Sequence, residues 1–426
     1  MSTLYVAAKY LEEYTATSGY GGGETWLPVP VHTVSHRPGN YCKLYFTNDP
    51  YTYDLEGASS YVEWVPGLDD YPIIGTSQTI NRTYISEIGT FGDEIVILPS
   101  DCTGMFQNMS FGIASDSFYI FYYWNYRRGY AYGGTQHIRI DFSKFDTSNV
   151  TNMTSMFDNC AAASQVLDVF WHKDNSTTQD KWQYGFWSLA LTGLGTWDLS
   201  NVTTATNMFA NNNLLSGGYL PFYNQYTYTD VEQVRDFFNG ETIKFPNIID
   251  ASGVFENSKL KLMNSTVIFN SNQKADFSNM FKNTGLSYTI TTLNTMDINN
   301  WLFGAPDADL SNMFYDADYR SINLGDSLEA QIQVLTDTNS INSMFGSSSD
   351  AKHLTWIYVN GETDWHELNS KLVSSEMFIN RTSLEHWDGT IDITKANTGS
   401  TGYFVGSPKT LRKYIIYLKI PQSEVL

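Results

Sequence analysis

The segment that decides the fold is Phe145–Cys160, which reads FDTSNVTNMTSMFDNC. Near its end, a Met-Phe pair follows a small polar residue, and an Asn stands two positions after the Phe. A second segment, Trp197–Phe209, reads WDLSNVTTATNMF and closely matches the first. Eight copies of the motif occur in a chain that has only 12 Met residues, so the recurrence indicates an internal repeat.

The Phe residue of each copy is expected to belong to the repeat core. These residues are Phe106, Phe157, Phe209, Phe255, Phe281, Phe314, Phe345 and Phe378. Successive Phe residues are separated by 51, 52, 46, 26, 33, 31 and 33 positions. One spacing of 26 and two near twice that value indicate a basic period of 26 residues, with insertions and two degenerate copies.

Short alternating apolar stretches precede the motif copies and predict one strand per repeat. They are residues 95–97, 138–142, 243–245, 267–269, 332–334 and 354–358. Within the motif, Val150, Met153 and Phe157 are spaced by three and four positions, which predicts one face of a short helix that Asp146 or Ser148 could cap. A strand and one helical turn cannot bury a core alone, so we expect neighbouring repeats to stack into a solenoid with strands on one side and helices on the other.

Phe145–Cys160 and Trp197–Phe209 resemble the BspA-like, leucine-rich-repeat-type repeat of bacterial surface proteins. The resemblance covers roughly residues 90 to 395 and fades to a Ser-Asn-Met-Phe core after the second segment. It implies a mixed α/β repeat fold, an LRR-like solenoid of short strands and short helices that serves binding, usually in extracellular adhesion. It implies no catalytic residues.

The chain divides into three predicted regions. Residues 1–88 do not repeat, and their short apolar stretches are separated by Gly and Pro, which predicts a β-rich module that docks or caps the solenoid. Residues 89–395 form the predicted repeat solenoid with its insertions. Residues 396–426 are predicted to cap the C-terminal end, because Leu411–Ile420 is an apolar stretch with the cations that commonly protect an edge strand.

The composition of the chain excludes several classes of function. Lys and Arg number 25 against 45 Asp and Glu, a net charge of −20, and no stripe of cations is available to neutralise nucleic-acid phosphates. The three Cys and seven His residues show neither a disulfide framework nor a metal-ligand spacing. Motifs for a catalytic nucleophile, a phosphate loop or a dinucleotide are missing. We therefore expect no cofactor, no metal and no enzymatic activity.

Two aromatic-rich insertions contain the candidate binding residues. Phe118–Tyr132 has nine rings in fifteen residues beside two Arg residues, which is typical of interface hot spots, although burial beneath an insertion explains it equally well. Trp171–Trp187 could stack on sugar rings, but a small aromatic core that holds the loop in place is the stronger interpretation. The candidates are Tyr119, Tyr123, Trp124, Tyr126, Arg127, Arg128, Trp171, Trp182 and Trp187.

The N-terminal residues lack the basic and apolar regions of a secretory signal, and no stretch approaches 18 consecutive apolar residues, so no membrane insertion is expected. A surface-type binding solenoid without a route through a membrane is expected in a bacteriophage particle, which assembles in the host cytoplasm and is released by lysis.

The sequence thus predicts a non-enzymatic structural or attachment component of the tail, fibre or capsid-decoration class, in a homo- or hetero-oligomeric assembly. Other virion subunits are its expected partners, and a host surface protein or glycan is a further candidate. The alternatives are an adhesin on the bacterial cell surface and, less favoured, a protein that binds or degrades carbohydrate.

Overall fold

The computed structural model is a stack of coils around one continuous buried cluster that extends from Leu4 to Phe404. It describes residues 3–10, 26–27, 42–50, 61–81, 85–111, 122–123, 137–162, 170–173, 180–183, 188–212, 238, 240–259, 265–285, 295–350 and 353–406. The strands are β1 (Tyr5–Tyr10), β2 (Trp26–Leu27), β3 (Cys42–Thr47), β4 (Val62–Glu63), β5 (Asp70–Pro72), β6 (Thr79–Asn81), β7 (Ile85–Thr90), β8 (Val96–Ile97), β9 (Ser110–Phe111), β10 (Tyr122–Tyr123), β11 (His137–Asp141), β12 (Phe145–Asp146), β13 (Ala161–Ala162), β14 (Phe170–Lys173), β15 (Asp180–Gln183), β16 (Ser188–Thr192), β17 (Thr242–Phe245), β18 (Thr266–Asn270), β19 (Ala275–Asp276), β20 (Thr295–Asp297), β21 (Leu302–Gly304), β22 (Ala308–Asp309), β23 (Ser321–Asn323), β24 (Trp356–Val359) and β25 (Phe404–Gly406). The α-helices are α1 (Asp326–Val334) and α2 (Trp365–Leu368), and short 3-10 helices span Leu194–Thr196 and Ile393–Lys395.

The predicted mixed α/β repeat is wrong, because the described residues are mostly short strands in small sheets with only two α-helices. The motif segments expected to be helical are pairs of consecutive tight turns. In the second copy, Met156 N–H donates to the Met153 carbonyl at 3.1 Å, and Asp158 N–H donates to the Ser155 carbonyl at 3.0 Å. Ser155 and Asn159 have φ angles of 53° and 54°, and this left-handed backbone prevents a continuing helix. The fold is therefore β-rich.

Backbone hydrogen bonds join each coil to the next. Phe157 N–H donates to the Met208 carbonyl, and Phe281 N–H donates to the Met313 carbonyl, both at 2.8 Å. Parallel strand pairs join the coils elsewhere, in β8–β12, β11–β16, β19–β22, β17–β18–β21 and β20–β23–β24–β25. Stacking thus satisfies backbone groups that a single coil would leave unpaired.

The eight Phe rings of the motif form one column through the core. Neighbouring rings are stacked with centroids 5.1 to 5.7 Å apart and interplanar angles of 2° to 20°. Phe106 and Phe157 are direct neighbours in this column although 51 residues separate them in the chain. The two degenerate copies inferred from the spacing are therefore not part of it, and each long spacing is a single coil with an insertion.

The N-terminal strands cover the first end of the column. β1 pairs antiparallel with β3, and the same sheet continues through β7 to β9 and β13, which belong to the first two coils. The Phe46 ring of β3 lies 5.8 Å from that of Phe106 and 5.6 Å from that of Phe145. The domain limits at residues 88 and 396 stay predictions, and Leu411–Ile420 lies outside the described residues.

Helix α1 occupies a place where a strand was predicted at residues 332–334, and that prediction is wrong. Leu328 and Ile332, four positions apart, are buried, while Asp326 and Glu329 lie in the first turn, where acidic side chains favour a helix. The other five predicted strands are present, with ends shifted by one or two residues.

Candidate binding surface

The structure brings together few of the aromatic residues that were predicted to bind. Trp171 in β14 lies opposite Trp182 in β15 in an antiparallel pair, and Tyr123 in β10 lies opposite Trp26 in β2. The remaining candidates fall outside the described residues; they are Tyr119, Trp124, Tyr126, Arg127, Arg128 and Trp187. Both insertions therefore stay predicted binding sites.

The turn edge of the solenoid carries a ladder of Asn side chains. Asn283 Nδ2 donates to Asn257 Oδ1 at 2.8 Å, and Asn257 Nδ2 donates to Asn211 Oδ1 at 3.0 Å. The ladder continues from Asn211 Nδ2 to Asp158 Oδ1 at 2.8 Å. In seven of the eight motif copies, the residue at this position has a positive φ, which Asn and Asp tolerate better than most residues. These side chains hold coils together, so the conspicuous Asn pattern of the sequence is structural.

A buried Arg also holds coils together near the C-terminal end of the stack. Arg381 is fully buried, and its guanidinium donates from Nε to the Phe345 carbonyl at 2.6 Å and from Nη2 to the Phe314 carbonyl at 3.2 Å. Burial lowers the pKa of Arg381 to about 10, and nearby Asp316 opposes that effect. One side chain thereby links three successive coils.

The sheet of β20, β23, β24 and β25 presents an aromatic and polar outer face. Along β24, Ile357 and Val359 are buried, while the alternate residues Trp356 and Tyr358 are half-buried on the other face. The register places Tyr358 beside Asn323 of β23, and Asn323 beside Asp297 of β20. We call the side chains of Asp297, Arg320, Asn323, Trp356 and Tyr358 the C-terminal face.

Some polar groups of the C-terminal face form hydrogen bonds with one another. Asn323 Nδ2 donates to Asp297 Oδ1 at 3.2 Å, but among the described residues Asn323 Oδ1 has no hydrogen-bond partner, although Asn323 is only 8% exposed. Burial raises the pKa of Asp297, and the Asn299 N–H and the Asn323 amide oppose this effect. The face thus contains a buried acceptor that the described residues leave without a partner, beside a carboxyl group that is easier to protonate than usual.

The two rings of the C-terminal face have charged neighbours. The Arg320 guanidinium lies over the Trp356 ring, 4.7 Å from its centroid, in a cation–π contact that fixes the indole. Burial and the Glu385 carboxylate raise the pKa of Tyr358, and Arg320 opposes them. The arrangement can hold a ligand by ring stacking and hydrogen bonding.

The sequence analysis missed this face. It predicted the strand at residues 354–358, and the alternation of Trp356 and Tyr358 with Ile357 was visible there, but the neighbouring strands that supply Asn323 and Asp297 were not recognised. Among the described residues, no group of three or more His, Cys, Asp and Glu side chains could hold a metal ion.

Comparison with known proteins yields one family. Residues 128–242 and 178–325 match the model of the family described as "Mycoplasma protein of unknown function, DUF285". This part of the chain is similar to that family. The family is associated with BspA-like repeats, which confirms the resemblance at the level of the repeat. The matches cover less than half of the chain, and no curated protein or solved structure matches it.

Proposed function

We propose that the protein is a non-enzymatic structural or attachment component that acts through its solenoid. The observation that carries this proposal is the column of eight stacked Phe rings, reinforced by hydrogen bonds between all successive coils. A scaffold of this kind holds insertions and exposed faces in fixed positions, as binding proteins require. The first three motif spacings, of 51, 52 and 46 residues, provide the insertions that the proposal assigns to binding.

The proposed setting is a bacteriophage particle, in its tail, fibre or capsid decoration, where other virion subunits would be the partners. A bacterial surface adhesin is the second candidate, and the match to a Mycoplasma family model favours it. In either setting the solenoid presents its insertions to a host protein or glycan. Among the described residues, no helix has the length and apolar character needed to cross a membrane.

Quantitative mass spectrometry of gradient-purified virions and of the host envelope from the same culture tests the setting. Stoichiometric enrichment in virions would support the particle protein, and the copy number would distinguish a decoration from a tail part. Recovery in the envelope alone would support the adhesin and contradict the phage assignment. Recovery in neither fraction would contradict the structural or attachment role itself.

A further inference from the structure

We propose that the C-terminal face is a binding site for a neutral carbohydrate, with Tyr358 as its stacking platform. The inference rests on the proposed attachment role and gives it a ligand class and a location outside the aromatic insertions. A sugar ring has an apolar face of C–H groups and a rim of hydroxyl groups. A fitting site therefore needs an aromatic ring beside a few hydrogen-bonding side chains.

The rings are held in place before any ligand arrives. Trp356 and Tyr358 stand on the same face of β24, and the intervening Ile357 is anchored in the core. Arg320 packs over the indole at 4.7 Å, which limits its movement. A preorganised aromatic surface loses little conformational entropy when a ligand binds.

The free acceptor supplies the polar part of the site. Asn323 donates through Nδ2 to Asp297 of β20 on one side, and its register partner on the other side is Tyr358 of β24. In the described part of the chain the Asn323 Oδ1 oxygen has no partner, and an acceptor kept from water without one is unfavourable. A sugar hydroxyl group can donate to it when binding exposes this oxygen, and the half-buried Asp297 carboxylate beside it can accept from a second hydroxyl group.

The charges around the face favour a neutral ligand over an anionic one. Glu385 acts on Tyr358, and Asp297 lies on the far side of Asn323, on a chain with a net charge of −20. The cation of this face, Arg320, is stacked on the Trp356 ring. Phosphorylated or sialylated ligands would meet repulsion here, because like charges raise the free energy of binding.

Isothermal titration calorimetry of the full chain with hexasaccharides of glucose (α- and β-linked), N-acetylglucosamine, mannose and galactose tests the proposal. We expect at least one of these probes to bind, and Tyr358→Ala to weaken that binding at least about tenfold, as truncation of an aromatic anchor does. Tyr358→Phe should retain most of the affinity because it keeps the ring. Asn323→Leu should weaken binding by removing the acceptor.

Tyr315→Ala is the matched control, since Tyr315 is also half-buried but lies on the turn edge. It should bind as the unchanged chain does, and thermal unfolding of every variant verifies its fold. Failure of all neutral probes to bind, a preference for sialylated or phosphorylated sugars, or an equal loss in Tyr315→Ala would each overturn the proposal. If the protein is found in virions or in the envelope but binds no sugar, this inference alone is overturned. If it binds sugar but is found in neither fraction, only the proposed setting and role are overturned.

Discussion

Gln331 pairs with the backbone of Ala305 as a neighbouring strand would. Its Nε2 donates to the Ala305 carbonyl at 3.1 Å, and its Oε1 accepts from Ala305 N–H at 3.0 Å. One helical turn earlier, Ser327 Oγ accepts from Phe303 N–H at 2.6 Å. The spacing of four residues along α1 thus matches two residues along β21, and the helix closes the edge of the β17–β18–β21 sheet.

Replacement of Gln331 by Leu should destabilise the protein. The Leu side chain fills a similar volume but leaves the N–H and carbonyl of Ala305 buried without partners, which costs about 2–4 kcal/mol of unfolding free energy. Urea unfolding followed by circular dichroism measures the loss. Gln333→Leu is the control on the exposed side of the same helix and should change stability little. Equal effects of the two substitutions would show that α1 does not close the sheet in this way.

Truncation of a Phe ring in the middle of the column should lower the free energy of unfolding more than the loss of Gln331 does. Phe281 is fully buried between Phe255 at 5.5 Å and Phe314 at 5.4 Å. Phe281→Ala removes both contacts and leaves a cavity, so we expect a loss of about 3–5 kcal/mol in the free energy of unfolding. Phe281→Leu keeps part of the volume and should lose less. A loss below about 1 kcal/mol for Ala would contradict a close-packed column.

Replacement of Asn283 by Gly should destabilise the protein less than its replacement by Ala. Its φ of 54° lies in the left-handed region, where an Ala residue costs roughly 1–2 kcal/mol and Gly does not. Both variants lose the 2.8 Å bond to Asn257, so their difference isolates the backbone contribution. Thermal unfolding of the pair measures it. If Gly proves as destabilising as Ala, the backbone conformation does not explain the recurring Asn.

The thiols should be inert in the folded protein and should reduce its stability at alkaline pH. Burial raises the pKa of Cys42 to about 12 and also raises that of Cys102. The folded state favours the protonated thiol. The stability that depends on protonated thiols is therefore fully present below the unfolded pKa of about 8.5, and it is lost as the pH rises towards 12.

At pH 8, a disulfide reagent should modify the three thiols only after denaturation. The free energy of unfolding should fall between pH 8 and pH 11, and it should fall less steeply for the Cys42→Ala variant. Rapid modification of the native chain would refute the burial of these groups.

The motif could be recognised from sequence, but its local conformation could not be read from spacing alone. Val150, Met153 and Phe157 fit a helical face, and they fit two successive turns equally well because both bring every third or fourth residue inwards. The small or turn-forming residue before each Met, such as Ser155, and the Asn after each Phe were the available signals for turns.

Two other errors have similar physical causes. Residues 332–334 alternate like a strand, and only the wider window with Leu328 shows the helical spacing of α1. The C-terminal face depends on residues from β20, β23 and β24 that are distant in sequence, so it required the register of the coils.

The main-chain hydrogen bonds that the motif Phe residues donate to a neighbouring coil all have the same direction along the stack. From Phe106 to Phe345, each Phe N–H donates to the Met or Val carbonyl of the following coil. Other bonds have the opposite direction: Lys259 N–H donates to the Asn212 carbonyl of the preceding coil at 2.8 Å, and Asn283 Nδ2 donates to Asn257 Oδ1. A coil in the middle of the stack therefore donates hydrogen bonds to both of its neighbours, and each coil holds the two beside it together.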